Sequence, residues 1–191
     1  MNSILFSGGA KRHVASPKWY SEIIAGKYNA VIFDCDGTLV ESGEAHFKSF
    51  RTAVRAQGYD LERDWYDQRN GFDRLSLLSA FSGEISGQLD ISLAAQQSIE
   101  AFISATTAIS PIAETGKLVR SLAGTYPMAV GTNAEIEVAT ASLLAVGLSN
   151  YFTSIVSISD GYPAKPAPDI FSTAAQRLGV SSARTLVFED S

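Results

Sequence analysis

The chain has 191 residues, 46% of them hydrophobic and 18% charged, with a net charge of −5. This composition suits one well-filled core plus a small second module; it is too apolar for disorder, and no run approaches the ~20 apolar residues of a membrane span. A single cysteine excludes an internal disulfide framework, the lack of a dense basic run disfavours nucleic-acid binding, and the short apolar patch near the start is too small for a secretory signal, so the expectation is a cytoplasmic protein without nucleic-acid or membrane partners.

Residues 1–28 form an N-terminal extension, a packing or disordered segment. Within it Ser16-Pro17-Lys18-Trp19 opens a short helix that closes at Gly26, with Trp19 and Ile23 on one apolar face. Ala30-Val31-Ile32-Phe33 is a first strand. A long interval follows, far more than one crossover helix requires, and it reads as helical. Residues 44–57 place Phe47, Phe50 and Val54 along one face and stop at Gly58; residues 73–81 and 91–109 carry further apolar stripes. The interval is therefore a helical insert, roughly residues 42–110.

Regular alternation resumes after it. A helix over residues 115–123 ends at Gly124 and leads into a strand at Met128-Ala129-Val130. A helix over 135–146 ends at Gly147, a strand covers residues 154–158, and a helix over 169–178 starts behind Pro168 and ends at Gly179. A fourth strand, Thr185-Leu186-Val187-Phe188, comes last. The strands are short and continuously apolar rather than alternating, as in a parallel sheet covered on both faces. The fold class is α/β, a Rossmann-like parallel sheet core over residues 29–41 and 111–191 with an inserted all-α domain. The sequence stops directly after the fourth strand, which leaves an apolar edge that either a partner covers or a longer form of the chain completes.

The chemistry-bearing residues follow the strands. In open α/β sheets ligands bind beyond the carboxyl ends of the strands, near the switch in strand order. Those ends read Asp34-Cys35-Asp36-Gly37-Thr38, then Gly131-Thr132-Asn133, then Lys165-Pro166-Ala167-Pro168, then Glu189-Asp190. Taken singly, Asp-x-Asp-Gly is a turn, Lys-Pro a solvated loop and Glu-Asp surface charge. Taken together, each directly after a separate apolar strand, they describe a site. Carboxylates from the first and fourth strands can share a hard divalent cation, for which Mg²⁺ is the natural choice. Lys165, the Thr132 hydroxyl and the backbone N–H groups of the glycine turn suit phosphate oxygens. Cys35, between two carboxylates after a buried strand, reads as a small filler rather than a nucleophile.

The segments Phe33-Asp34-Cys35-Asp36-Gly37-Thr38-Leu39, Gly131-Thr132-Asn133, Lys165-Pro166-Ala167-Pro168-Asp169 and Phe188-Glu189-Asp190-Ser191 resemble the four motifs of the haloacid dehalogenase superfamily. More narrowly, they resemble its β-phosphoglucomutase-like, sugar-phosphate phosphatase branch, whose small α-helical cap the insert matches. The resemblance implies Asp34 as nucleophile and Asp36 as general acid/base. It implies that Thr132, Asn133 and Lys165 hold the phosphoryl group and that Glu189 and Asp190 complete a Mg²⁺ site with Asp34 and Asp36. In the cap, Gly71-Phe72-Asp73-Arg74 resembles the branch's Gly-x-x-Arg, whose arginine contacts the distal part of the substrate. His46 falls where the branch has a histidine near the cap hinge, a substrate-side position; a buried helix histidine is the other reading.

The implied reaction is hydrolysis of a small phosphorylated metabolite, such as a sugar phosphate, through an aspartyl-phosphate. Asp36 would have to be protonated at the first step, so neighbouring negative charge and cap closure are expected to raise its pKa. Two other functions stay open. One is a phosphomutase, against which stands Asn70, where the resembling mutases carry a lysine. The other is an inactive or truncated binding chain. A monomer or weak dimer is expected.

Overall fold

A computed structural model of the chain describes residues 1–7, 9–69 and 71–190; the sequence expectations that involve Asn70 and Ser191 lie outside the described residues. The core is a four-stranded sheet built from β3 (Ala30–Phe33), β6 (Met128–Gly131), β7 (Ser154–Val156) and β8 (Thr185–Phe188), in the order β7-β6-β3-β8. All neighbours are parallel, with Phe33 opposite Val130 on one side and Phe188 on the other. β3 is central and fully buried, which explains its unbroken apolar run. The chain grows outward from β3 through β6 to β7, then crosses to the opposite side for β8, so the order switches between β3 and β8. A cleft at a switch point is where such a sheet receives a ligand.

Helices α6 (Ala113–Leu122), α7 (Ile136–Ala145) and α8 (Asp169–Arg177) supply the crossovers, close to the expected spans. Val130, Val138 and Leu143 join the apolar layer on one face of the sheet, and Ile170, Ala174 and Ala175 pack on Ile32 and Ala129 on the other. Two expected elements are shorter than the pattern indicated. The strand predicted to Ile158 leaves its ladder at Val156 because Ser157 turns the chain: its N–H donates to Asp160 Oδ2 at 2.9 Å, opening a single 3-10 turn over Ile158–Asp160. The helix predicted to Ile109 ends at Ser104 and is followed by another such turn, Thr106–Ala108.

The insert between β3 and α6 contains α2 (Gly43–Arg55), α3 (Arg63–Asp67), α4 (Arg74–Glu84) and α5 (Ile91–Ser104). Phe47, Phe50 and Val54 of α2 meet Leu61, Tyr66, Leu77, Leu78 and Phe81 in an apolar cluster of their own. Each such side chain contributes roughly 1.5–3 kcal/mol on burial, so the insert carries a small core as well as a surface. Two features tie it to the sheet. Val40–Glu41 (β4) and Ser110–Pro111 (β5) pair as a two-stranded antiparallel ribbon where the chain leaves and returns. Ala45 and Phe102 belong to the apolar cluster of the sheet domain rather than that of the insert.

The N-terminal extension packs rather than dangles. Asn2–Ser7 (β1) and Ala10–Ala15 (β2) form an antiparallel hairpin that the sequence did not announce, and α1 (Trp19–Ala25) follows. Trp19 is buried with Ile23, as one apolar face predicted, and its ring meets Phe188 of β8 edge-on at 5.3 Å. Its indole N–H donates to Ser3 Oγ at 2.7 Å, which locks the hairpin to the helix.

Candidate active site

Asp34 leaves β3 at the switch point, and its backbone N–H still donates to Phe188 O at 2.8 Å, so β3 and β8 hold it in register. Only 4% of the residue is exposed. Gly37 adopts φ +79°, and the Asp190 carboxylate lies where a side chain at residue 37 would sit, so only glycine lets the two loops approach this closely. Thr38 Oγ1 donates to Asp190 Oδ1 at 3.3 Å, and the Thr38 carbonyl accepts from Thr115 Oγ1 at 2.6 Å. The loop after β3 is thereby fixed to β8 and α6 together.

Lys165 reaches into the same place. Its Nζ donates to Asp34 Oδ1 at 2.5 Å and to the two Glu189 oxygens at 3.2 and 3.0 Å. Phe171 lies under it, with Nζ 5.1 Å from the ring centre. Burial opposes the Lys165 charge, yet Asp34 and then Glu189 outweigh it and hold the ammonium above its ordinary pKa. The reciprocal effect on Asp34 is weaker than its desolvation. Burial pushes the carboxyl up, Lys165 pulls it down, Glu189 pushes it up again, and the result is about 7.

One oxygen each from Asp34, Glu189 and Asp190 lies within 4.8 Å of the others. Burial and the charge of Glu189 also raise Asp190. Carboxylates this crowded are the chemistry a divalent cation relieves, and an all-oxygen set fits Mg²⁺. Asp36, expected among the ligands, is not part of that group. Its Oδ1 accepts from Ser42 Oγ at 2.5 Å and lies 3.0 Å from His46 Nε2, at the foot of the cap. In the free chain its pKa shift runs opposite to the expected one. Burial pushes Asp36 up, but the charge and hydrogen bond of His46 and the hydrogen bond of Ser42 hold it below the usual carboxylate range. Both partners bond the charged form of one oxygen, which is the missing element in an argument from neighbouring aspartates alone.

The remaining expected residues divide. Thr132 is buried at the end of β6, where its N–H donates to Val156 O at 3.0 Å and its Oγ1 accepts from Ala134 N at 3.0 Å. Asn133, expected on the phosphoryl group, instead spends both ends of its amide on the Lys165 backbone: Oδ1 accepts from Lys165 N at 2.7 Å and Nδ2 donates to Lys165 O at 3.3 Å. Arg74 is brought to the cap–core seam, but its guanidinium is engaged, with Nε on Glu135 Oε1 at 2.9 Å and Nη1 on Ser98 Oγ at 2.7 Å. The His46 ring packs 4.4 Å from Phe102 and bonds Asp36, as a largely buried helix histidine does. Cys35 is fully buried, and desolvation followed by Asp36 and Asp34 holds its thiol well above its ordinary pKa, in keeping with a filler. Ser42, Glu135 and Phe171 escaped the sequence reading. Glu135 follows Asn133 by two positions, and its place at a strand tip was the available signal.

A switch point that gathers a buried carboxylate, a lysine and a crowded acidic trio, beside a helical insert, is the architecture of a cap-and-core α/β enzyme. The family model for haloacid dehalogenase-like hydrolases matches residues 28–191, and the chain belongs to that family of hydrolases. Fructose-1-phosphate phosphatase YqaB of Escherichia coli is 33% identical over 165 residues, covering 86% of this chain and 87% of the relative. Protein CbbY of Rhodobacter capsulatus is 30% identical, covering 85% and 77%. The crystal structure of CbbY from Rhodobacter sphaeroides in complex with phosphate superposes with a TM-score of 0.79 at 24% identity, over 86% of this chain and 78% of that one, which establishes the common fold. Among the described residues no helix is long and apolar enough to cross a membrane.

Proposed function

We propose that the chain is a Mg²⁺-dependent phosphomonoester hydrolase acting on a small phosphorylated metabolite, a sugar phosphate, through an aspartyl-phosphate intermediate. The observation that carries the reading is the meeting of Asp34 with Lys165 and with Glu189 and Asp190 at the tips of separate strands. Relatives named as sugar-phosphate phosphatases, such as the fructose-1-phosphate enzyme, support it.

Asp34, Glu189 and Asp190 would hold the cation, which when bound supplies positive charge against a dianionic ester. Lys165 neutralises phosphoryl oxygens beside Asp34, and the buried Thr132 hydroxyl lies in the neighbouring strand tip for the same purpose. Asp34 Oδ attacks phosphorus, the ester bond breaks, and the phosphoryl group is held as an acyl phosphate on Asp34; dividing the displacement makes each half easier. Asp36 passes a proton to the departing sugar oxygen and takes one from the water that then cleaves the acyl phosphate. In the free chain Asp36 is held ionised by His46 and Ser42. Entry of a dianion beside it acts in the opposite direction and favours its protonated form.

Purified protein incubated with hexose and pentose phosphates should release inorganic phosphate with Mg²⁺ and lose that release with EDTA or in Asp34→Asn. No release from any member of the panel would overturn the proposal.

A further inference from the structure

Arg74 opens α4 of the cap, Glu135 stands immediately ahead of α7 of the core, and their ion pair at 2.9 Å crosses the seam between the two. The pair is linked to the strand-tip residues through the packing of α5 and α2. Ser98, which accepts from Arg74, is one turn of α5 from Phe102; Phe102 packs on His46, and His46 bonds Asp36. An ester seated with its phosphoryl group at Lys165 would extend its other end from the strand tips toward the cap, the side on which Arg74 and Glu135 join cap to core.

The two partners are not equally visible there. The Arg74 side chain is 3% exposed and sits over the Phe50 ring, whereas Glu135 keeps 17% of its side chain exposed. What the seam offers a ligand is thus the carboxylate side of the pair. A free, desolvated guanidinium would be a strong fork for a second phosphate. Here Nε and Nη1 are already taken by Glu135 and Ser98, and a second phosphate would have to compete with Glu135 and then sit beside it.

We infer that Glu135 is a specificity-determining residue: by occupying Arg74 and edging the seam with negative charge, it selects monophosphates whose outer end is an uncharged polyol and rejects bisphosphates. The inference rests on the phosphatase reading and narrows its substrate class. Discrimination of this kind works by repulsion of the wrong ligand as much as by attraction of the right one. It also separates the chain from a mutase, which must hold a bisphosphate intermediate in its site.

The test compares fructose 1-phosphate with fructose 1,6-bisphosphate, and glucose 1-phosphate with glucose 1,6-bisphosphate, on the full chain with saturating Mg²⁺. The wild type should favour the monophosphates in kcat/KM by about tenfold or more, and Glu135→Gln should move that ratio toward the bisphosphates by about tenfold, the size of one lost like-charge contact. The readout is the ratio, so a general loss of rate in the variant does not obscure it. Should Glu135→Gln fail to fold, the wild type still decides: each bisphosphate should inhibit monophosphate turnover only at concentrations about tenfold above the monophosphate KM. Equal use or equally tight binding of both classes by an active wild type, or an unmoved ratio in a folded Glu135→Gln, overturns this inference and leaves the phosphatase reading standing. Absence of turnover with every ester overturns both.

Discussion

Lys165 Nζ lies 2.5 Å from Asp34 Oδ1, although 131 residues of chain separate them. Sheet order brings them together: Asp34 follows the central strand, and the loop carrying Lys165 follows the outer strand β7 and is bonded to Asn133 beyond the end of β6. Lys165 tempers the Asp34 carboxylate, and under the proposed function it would do the same for the phosphoryl charge once substrate arrives. Lys165→Met should reduce phosphate release by roughly 10²–10³-fold, as for removal of a preorganised charge at a reacting group. The same change removes the largest influence that lowers the Asp34 pKa, so a carboxyl titration of the metal-free variant by NMR should place Asp34 above its wild-type value.

Stability of the metal-free chain should depend on pH in an unusual direction. Asp34 titrates near 7 when folded against an ordinary value of 3.8, so between those limits the folded state holds the extra proton. Stability therefore falls as pH rises through that window, by on the order of 4 kcal/mol for a shift of this size. Asp190, also raised, adds to the fall. Asp36, which is lowered, contributes stability above its ordinary value and loses it only as pH drops further, so it acts below this window. Thermal melts in EDTA should show Tm declining from pH 4 to pH 7. Saturating Mg²⁺ should flatten that decline, because a bound cation favours the ionised carboxylates at the upper end. A Tm that climbs through this range in EDTA would contradict the burial assigned to Asp34.

The core was legible because each buried strand is a pure apolar run that ends abruptly in polar residues, as Ala30-Val31-Ile32-Phe33 ends in Asp34. Burial on both faces writes that pattern directly into the chain. The hairpin of Asn2–Ser7 and Ala10–Ala15 was not legible, since β2 is mostly exposed and carries Lys11, Arg12 and His13 without alternation. The helix Arg63–Asp67 is too short for a period of 3.6 to register. The site residues were placed on the correct strand tips, but their partners were not. Whether Asp36 is raised or lowered depends on which groups aim at Oδ1, and Ser42 and His46 do so only once α2 folds back over the loop. Arg74 and Glu135 stand 61 positions apart on different domains, and nothing local announces that one neutralises the other.

Asn133 holds the Lys165 main chain at both N–H and C=O, so its effect on chemistry passes through the position of another side chain. Asn133→Ala should destabilise the fold by about 1–2 kcal/mol, the worth of two such hydrogen bonds. Turnover should fall by roughly 10–100-fold, the usual cost of losing a positioning contact. Asn133→Asp keeps the acceptor for Lys165 N and should recover part of the stability, while the added charge near Lys165 keeps kcat low. If Asn133 instead bound the phosphoryl group directly, Asn133→Ala would raise KM far more than it lowered kcat, with Tm unchanged. Melting curves and steady-state kinetics on the two variants separate these outcomes.

His46 sits 3.0 Å from Asp36 with its ring tilted against Phe102, and its charge and hydrogen bond are the main influences that hold Asp36 ionised. Replacing it by glutamine keeps a polar group of similar reach and removes the charge. Asp36 should then titrate higher, and because it acts as proton donor in the half-reaction that kcat/KM reports, the alkaline limb of the kcat/KM profile in His46→Gln should move to higher pH by about one unit, the scale of a single close charge. Asp36→Asn should abolish that limb and lower kcat by about 10²–10⁴-fold, as for loss of a general acid/base. His46→Phe tests packing alone: it retains the ring against Phe102 but offers Asp36 no donor, and it should show the same shift in the limb with little change in Tm. An alkaline limb that stays in place in both His46 variants would mean that Ser42 alone sets the ionisation of Asp36, and the imidazole would then be a packing residue of α2.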